Sequence, residues 1–129
     1  MSTAPAALVI DWGGVLTPAL DGALTRWAVG EGIDLSHYRD VMRDWVGGED
    51  SPVHRFERGE LPVSQFEASL AVQLSRVGSP VAAQGLVGRM LAGLVELDER
   101  MIGAVRSARR QGVRTALLSN SWGEHYPEE

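Results

Sequence analysis

Two short apolar runs, one near each end of the 129-residue chain, constrain its fold most strongly. Residues 6–11 read Ala-Ala-Leu-Val-Ile-Asp, and residues 113–119 read Val-Arg-Thr-Ala-Leu-Leu-Ser. A short apolar run without alternation is typical of a strand that is buried on both faces of a parallel sheet. Because helical sequence separates the two runs, the order strand, helices, strand predicts a parallel α/β crossover.

The sequence between the two strands is longer than one crossover requires. Apolar residues recur at helical spacing in three stretches, at about residues 21–46, 63–77 and 80–95. Residues 47–54 are rich in glycine and acidic residues and are predicted to form a loop. We therefore expect residues 19–96 to form an inserted helical cap, and residues 1–18 and 97–129 to form an incomplete α/β core.

Capping residues predict where two of the helices begin or end. Ser64, followed three residues later by Glu67, fits a capping box at the start of the second stretch. Asp98 is the expected N-cap of a further helix that runs to Arg110, and Gly112 is expected to end it.

The composition excludes several classes of site. The chain has no cysteine, which excludes disulfides, thiolate metal sites and cysteine nucleophiles. Its net charge of −5 argues against nucleic acid or an anionic membrane as the main partner. The apolar run near the N-terminus is too short for a signal peptide or a membrane span, and no positive region precedes it. We therefore expect a cytoplasmic protein with a small-molecule substrate.

Polar residues stand at the carboxyl ends of both predicted strands, where open α/β sheets bind their ligands. Asp11 is followed by Gly13 and Gly14, and Ser119 is followed by Asn120. A fixed carboxylate can attack a phosphoryl group or an alkyl carbon to give a covalent intermediate. Small residues beside it let backbone N–H groups approach an anion. A serine hydroxyl on the neighbouring strand can donate to a phosphate oxygen.

The tryptophans divide between these motifs and the predicted cap. Trp12 and Trp122 flank the two motifs. For each of them two roles are open, lining a pocket or packing in apolar surroundings. Trp27 and Trp45 are predicted to belong to the core of the cap.

Three segments together resemble the haloacid dehalogenase (HAD) superfamily of hydrolases. Residues 8–17, Leu-Val-Ile-Asp-Trp-Gly-Gly-Val-Leu-Thr, are similar to its first motif, and the strand ending in Ser119-Asn120 is similar to its second. Residues 56–61, Phe-Glu-Arg-Gly-Glu-Leu, look like part of the helical cap that follows the first strand in some members. The resemblance extends over roughly residues 6–126.

The resemblance implies a Rossmann-like parallel sheet with an α-helical cap that closes over the site. It implies that Asp11 is the nucleophile and that Mg²⁺ is held by the Asp11 carboxylate and the Gly13 carbonyl. Ser119, Asn120 and Gly14 would bind the transferring group. The implied reaction is hydrolysis of a small phosphorylated metabolite.

The sequence also departs from the family pattern. Gly13 stands where phosphatases of the family usually have a second Asp as general acid/base, and no Lys or Arg follows Ser119. The only acidic residues after the second motif are Glu124, Glu128 and Glu129. These departures predict a chain that is truncated at its C-terminus, or one that a homodimer or another partner completes. They leave open a metal-independent dehalogenase and a non-catalytic HAD-like binding module.

Overall fold

A computed structural model describes residues 7–120 and residue 122. The fold is mixed α/β, mostly helical, with a two-stranded parallel sheet in the described residues. The chain forms two compact units. The sheet unit comprises Met1–Ala23 and Leu94–Ser119, and the helical unit comprises Leu24–Gly93 and Asn120–Glu129.

The described elements follow the predicted order of strand, helices and strand. They are β1 (Ala7–Ile10), α1 (Leu20–Glu31), α2 (Leu35–Gly47), α3 (Pro52–Glu57), α4 (Val63–Arg76), α5 (Leu86–Leu91), a 3-10 turn (Ala92–Leu94), α6 (Glu99–Arg110) and β2 (Arg114–Leu117). None of the described helices combines the length and the apolar character that crossing a membrane requires.

The two strands of the sheet unit pair in parallel, as predicted. Ala7 lies opposite Arg114, and Ile10 lies opposite Leu117. The expectation that both faces of each strand are buried is wrong, because Val9 is 60% exposed and Leu117 is 50% exposed. In the part of the chain that the structure describes, the sheet has two strands, and the helix that packs against β2 is α6.

Helix α6 begins and ends as the sequence predicts. The Asp98 side chain accepts hydrogen bonds from the backbone N–H groups of Arg100 and Met101, at 3.0 and 3.2 Å. Gly112 follows the helix with a φ of +83°, in the left-handed region that glycine adopts without strain. The next amide, of Val113, donates to the Ala108 carbonyl at 3.1 Å and closes the helix end.

The core of the helical unit is built on one face of α4. Phe66, Leu70 and Leu74 recur every four residues, and all three are fully buried, as their spacing predicts. The ring of Phe56 stacks on Phe66, with centroids 4.4 Å apart and planes 11° apart. Trp45 meets Phe66 edge to face at 5.8 Å.

A second aromatic contact joins α1 and α2. The rings of Trp27 and Tyr38 meet edge to face at 5.1 Å, and both side chains are buried. Burial raises the pKa of the Tyr38 hydroxyl to about 12, because a phenolate would lose its hydration there. Trp27 and Trp45 both pack in or against the core of the helical unit, as predicted.

The predicted capping box at Ser64 and Glu67 is wrong. Helix α4 has Pro62 at its N-cap position, and Ser64 lies within the helix. Glu67 is buried, and its carboxylate accepts hydrogen bonds from the amides of Val87 at 2.9 Å and Gly85 at 3.1 Å. This carboxylate therefore satisfies amides at the start of α5, which lie far from it in sequence.

Replacing Glu67 by Gln tests this contact. A glutamine amide keeps the shape of the carboxylate but has one acceptor oxygen and an NH₂ group in place of the second oxygen. Since hydrogen bonds to charged groups contribute about 1.5–3 kcal/mol each, we expect Glu67→Gln to lower the free energy of unfolding by about 1–3 kcal/mol. Urea denaturation measures the change. An unchanged midpoint would contradict the assignment.

Two boundaries of the helical unit also differ from prediction. Helix α3 begins at Pro52, inside the predicted loop at residues 47–54, because proline is tolerated in the first turn of a helix. The predicted helix at residues 80–95 is shorter, since α5 begins only after Gly85, which has a φ of +73°. Arg89 donates to the carbonyl of Ala82 at 2.8 Å and holds the preceding segment.

Candidate active site

The parallel ladder brings the ends of the two predicted motifs to one edge of the sheet. Ile10 pairs with Leu117, and the amide of Leu118 donates to the Ile10 carbonyl at 2.9 Å. Asp11 directly follows Ile10, whereas Leu118 stands between Leu117 and Ser119. Continuing the register places Leu118 opposite Asp11 and Ser119 one residue further along, so Asp11 and Ser119 lie at the same carboxyl end of the sheet.

The Asp11 side chain is exposed at this edge. Its Oδ1 atom accepts a hydrogen bond from the Trp12 amide at 2.7 Å, which restricts the orientation of the carboxylate. Within residues 7–120 and 122, no donor contacts its Oδ2 atom. One carboxylate oxygen is therefore held by the backbone, and within the described residues the other accepts no hydrogen bond.

The chain folds into a tight turn immediately after Asp11. The Trp12 carbonyl accepts hydrogen bonds from the amides of Val15, Leu16 and Thr17 at 3.2, 2.9 and 3.3 Å. The Leu16 carbonyl in turn accepts from the amide of Asp98 at 2.7 Å. These bonds fix the turn to the start of α6 within the sheet unit.

The amide of Gly14 is already engaged in this turn. It donates to Oγ1 of Thr17 at 2.9 Å, and the Thr17 hydroxyl donates to the Pro18 carbonyl at 3.2 Å. Gly14 has a φ of +75°, so a residue with a Cβ would be strained there. If the Gly14 amide binds a substrate anion as predicted, that anion must displace Thr17 Oγ1.

Thr17 is a structural part of the site to which the sequence analysis gave no role. Its side chain is only 1% exposed, so its hydroxyl satisfies the Gly14 amide where water has little access. The sequence feature that could have indicated this role is the position of Thr17 at the end of residues 8–17. A threonine that follows an apolar pair after two glycines can return its hydroxyl to the backbone of the turn.

Thr17→Val removes this hydroxyl and keeps the branched shape. An amide that loses its acceptor costs about 1–3 kcal/mol when it is buried. Because the bond between Gly14 and Thr17 is only partly buried, we expect the free energy of unfolding to fall by about 1 kcal/mol, the lower end of that range. Thr115→Val, in β2 of the sheet unit, is the matched control. Amide hydrogen exchange should show a faster Gly14 amide in Thr17→Val, and equal exchange in both variants would contradict the role of Thr17.

Gly13 stands two residues after Asp11 and has room for a side chain. A Cβ atom at Gly13 would meet Leu20 Cδ2 at 3.7 Å, which is ordinary van der Waals contact. The φ of Gly13 is outside the left-handed region, so other residues can adopt its conformation. The absence of a side chain at this position is therefore not imposed by the local geometry.

A hard cation at Asp11 stays a prediction. The Asp11 carboxylate and the Gly13 carbonyl are the two oxygen ligands that the family resemblance implies. Magnesium binds through one or two carboxylates and keeps several waters, so such a sparse oxygen donor set suits it. The described residues hold no group of three or more acidic or histidine side chains around a common point.

The remaining predicted residues follow β2. Ser119 belongs to the sheet unit and is exposed, whereas Asn120 is exposed and belongs to the helical unit. Trp122 packs within the helical unit, where its ring meets Phe56 and Phe66 edge to face at 6.0 and 5.7 Å. Of the two open roles for Trp122, apolar packing is the one observed.

The site thus combines an exposed carboxylate after one parallel strand with a hydroxyl-bearing residue after its neighbour. Such a pair can attack an electrophilic centre and hydrogen-bond the group being transferred.

Comparison with known proteins gives no relative: the sequence matches no family model and has no significant match among curated proteins.

Proposed function

We propose that the protein is a HAD-like hydrolase with a Rossmann-like core and a helical cap, and that its substrate is a small phosphorylated metabolite. The parallel pairing of β1 with β2 carries this proposal. It supports Asp11 as the nucleophile, because it brings Asp11 and Ser119 to one sheet edge. The hydrogen bond from the Trp12 amide supports it further, since that bond orients the Asp11 carboxylate through one of its oxygens.

The reaction assigns one task to each residue of the site. Oδ2 of Asp11 attacks the phosphorus atom, the bond from phosphorus to the leaving oxygen breaks, and its electron pair leaves with that oxygen. Water then hydrolyses the aspartyl phosphate. The Ser119 hydroxyl and the Asn120 amide donate to phosphoryl oxygens. A bound Mg²⁺ would neutralise charge on the transferring group.

Gly13 favours a second candidate, a carbon–halogen hydrolase. A dehalogenase attacks carbon with the same carboxylate and expels a halide ion, which needs no proton from a general acid. The turn after Asp11 holds glycine at the position where the family's phosphatases usually have an acid/base side chain. In this case Asp11 would form an ester with the substrate carbon, and water would hydrolyse it.

Metal dependence separates the two candidates. The purified protein is incubated with a panel of phosphate monoesters and, separately, with short 2-haloacids, with Mg²⁺ and with EDTA. Phosphate release that EDTA abolishes supports the phosphatase, and halide release that persists in EDTA supports the dehalogenase. Release of neither product from any substrate of the two panels would count against both and in favour of a non-catalytic HAD-like module.

A further inference from the structure

A surface groove in the helical unit lies between the residues of α2, α3 and α4. It is shallow and largely open to solvent, with a volume of about 470 Å³. Trp45 of α2, Pro52 of α3 and an outer stripe of α4 line it. All of these residues belong to the helical unit.

The lining joins an apolar surface to polar donors. Val72 is 49% exposed there, beside Ala68 and the indole of Trp45. Gln73 directly follows Val72 in the sequence, and Arg76 lies one helical turn after Val72 along α4. In the part of the chain that the structure describes, the side chains of Trp45, Gln73 and Arg76 donate no hydrogen bond.

The charge of the lining differs from that of the whole chain. The chain has a net charge of −5, yet Arg76 is the charged residue among those that line the groove. Among the described residues, Arg43 is paired with Asp40 and Arg58 with Glu60, whereas Arg76 is in none of the ion pairs. The Arg76 guanidinium, with its planar set of donors, is thus left for a carboxylate from outside.

From this lining we propose that the groove is a binding site for a small aromatic carboxylate. The aromatic ring would pack on Trp45, Ala68 and Val72, where an offset or edge-to-face contact with the indole adds to the burial of apolar area. The carboxylate would accept hydrogen bonds from Arg76, and from Gln73 beside it. Charge-assisted pairs of this kind are the strong ones at a partly exposed site.

The test uses 2-naphthoate as the probe and the indole N–H signals of the ¹⁵N-labelled protein as the readout. The Trp45 signal is assigned by its loss in Trp45→Phe. We expect 2-naphthoate to shift the Trp45 signal saturably and to leave that of the buried Trp27 unchanged. Its uncharged analogue 2-naphthamide should bind at least about tenfold more weakly, because it lacks the charge that Arg76 recognises.

Two arginine variants separate a specific site from general attraction to positive charge. Arg76→Gln should weaken 2-naphthoate binding at least about tenfold, whereas Arg43→Gln, an exposed arginine outside the groove lining, should leave it unchanged. Both side chains are exposed, and circular dichroism checks that both variants fold. Absence of a saturable shift, equal binding of the amide, or equal effects of the two variants would overturn the proposal.

Discussion

Asp11→Asn is expected to lower the rate of substrate hydrolysis at least about a thousandfold without changing the fold. The carboxylate is exposed, and the one hydrogen bond it accepts in the described residues comes from the Trp12 amide, which an Asn side-chain oxygen can also accept. The variant therefore keeps the turn and loses the nucleophile. Loss of a nucleophile has cost up to about a millionfold in other hydrolases, so a thousandfold is a lower bound. Initial rates on the best substrate of the panels measure it.

Asp44→Asn is the control for this experiment, because it makes the same change of charge on an exposed residue of α2. Its rate of substrate hydrolysis should equal that of the wild-type protein. Asp11→Ala serves as a second variant, since alanine cannot regain a carboxylate by deamidation. If both Asp11 variants retain more than a tenth of the rate, another residue is the nucleophile.

Gly13→Asp is expected to raise the rate of phosphate monoester hydrolysis about a hundredfold or more. The variant supplies the general acid/base that the family's phosphatases usually have at this position, and proton transfer contributes about 10²–10⁴-fold. The new side chain has room, because its Cβ would lie in ordinary contact with Leu20. The backbone there requires no positive φ, unlike that of the neighbouring Gly14.

Gly13→Asn is the matched control, since it has the same shape and cannot transfer the proton. It should leave phosphate release at the level of the unchanged protein. Halide release gives a second readout, because a metal-independent dehalogenase gains nothing from an added acid. An Asp variant no faster than the Asn variant on every phosphate monoester would contradict the role assigned to position 13.

Local patterns predicted the parts of the fold that local interactions determine. The spacing of Phe66, Leu70 and Leu74 indicated the buried face of α4, and Asp98 indicated the start of α6. Both depend on contacts within one or two turns of a helix. The parallel pairing of β1 and β2 followed from chain order, because strands separated by helices connect in parallel.

Features that depend on distant partners were not predictable from single segments. Glu67 fits a capping box by spacing, but its carboxylate binds amides at the start of α5, so tertiary contacts replaced the local bond. Val9 is exposed because little of the described chain covers the sheet. An apolar run in the sequence does not indicate how much of the chain will pack against it. In the candidate site, the positions of Asp11 and Ser119 could be predicted from the two strands. The hydrogen bond from the Gly14 amide to the Thr17 hydroxyl could not, because it depends on the geometry of the turn.

The register of the sheet also bears on how the protein is made. Ala7 pairs with Arg114, so the two strands come from opposite ends of the described sequence. A ribosome releases β1 first and then all residues of α1 to α6, and it completes β2 only at Leu117. Throughout that interval the nascent chain carries an apolar strand whose partner in the sheet does not yet exist.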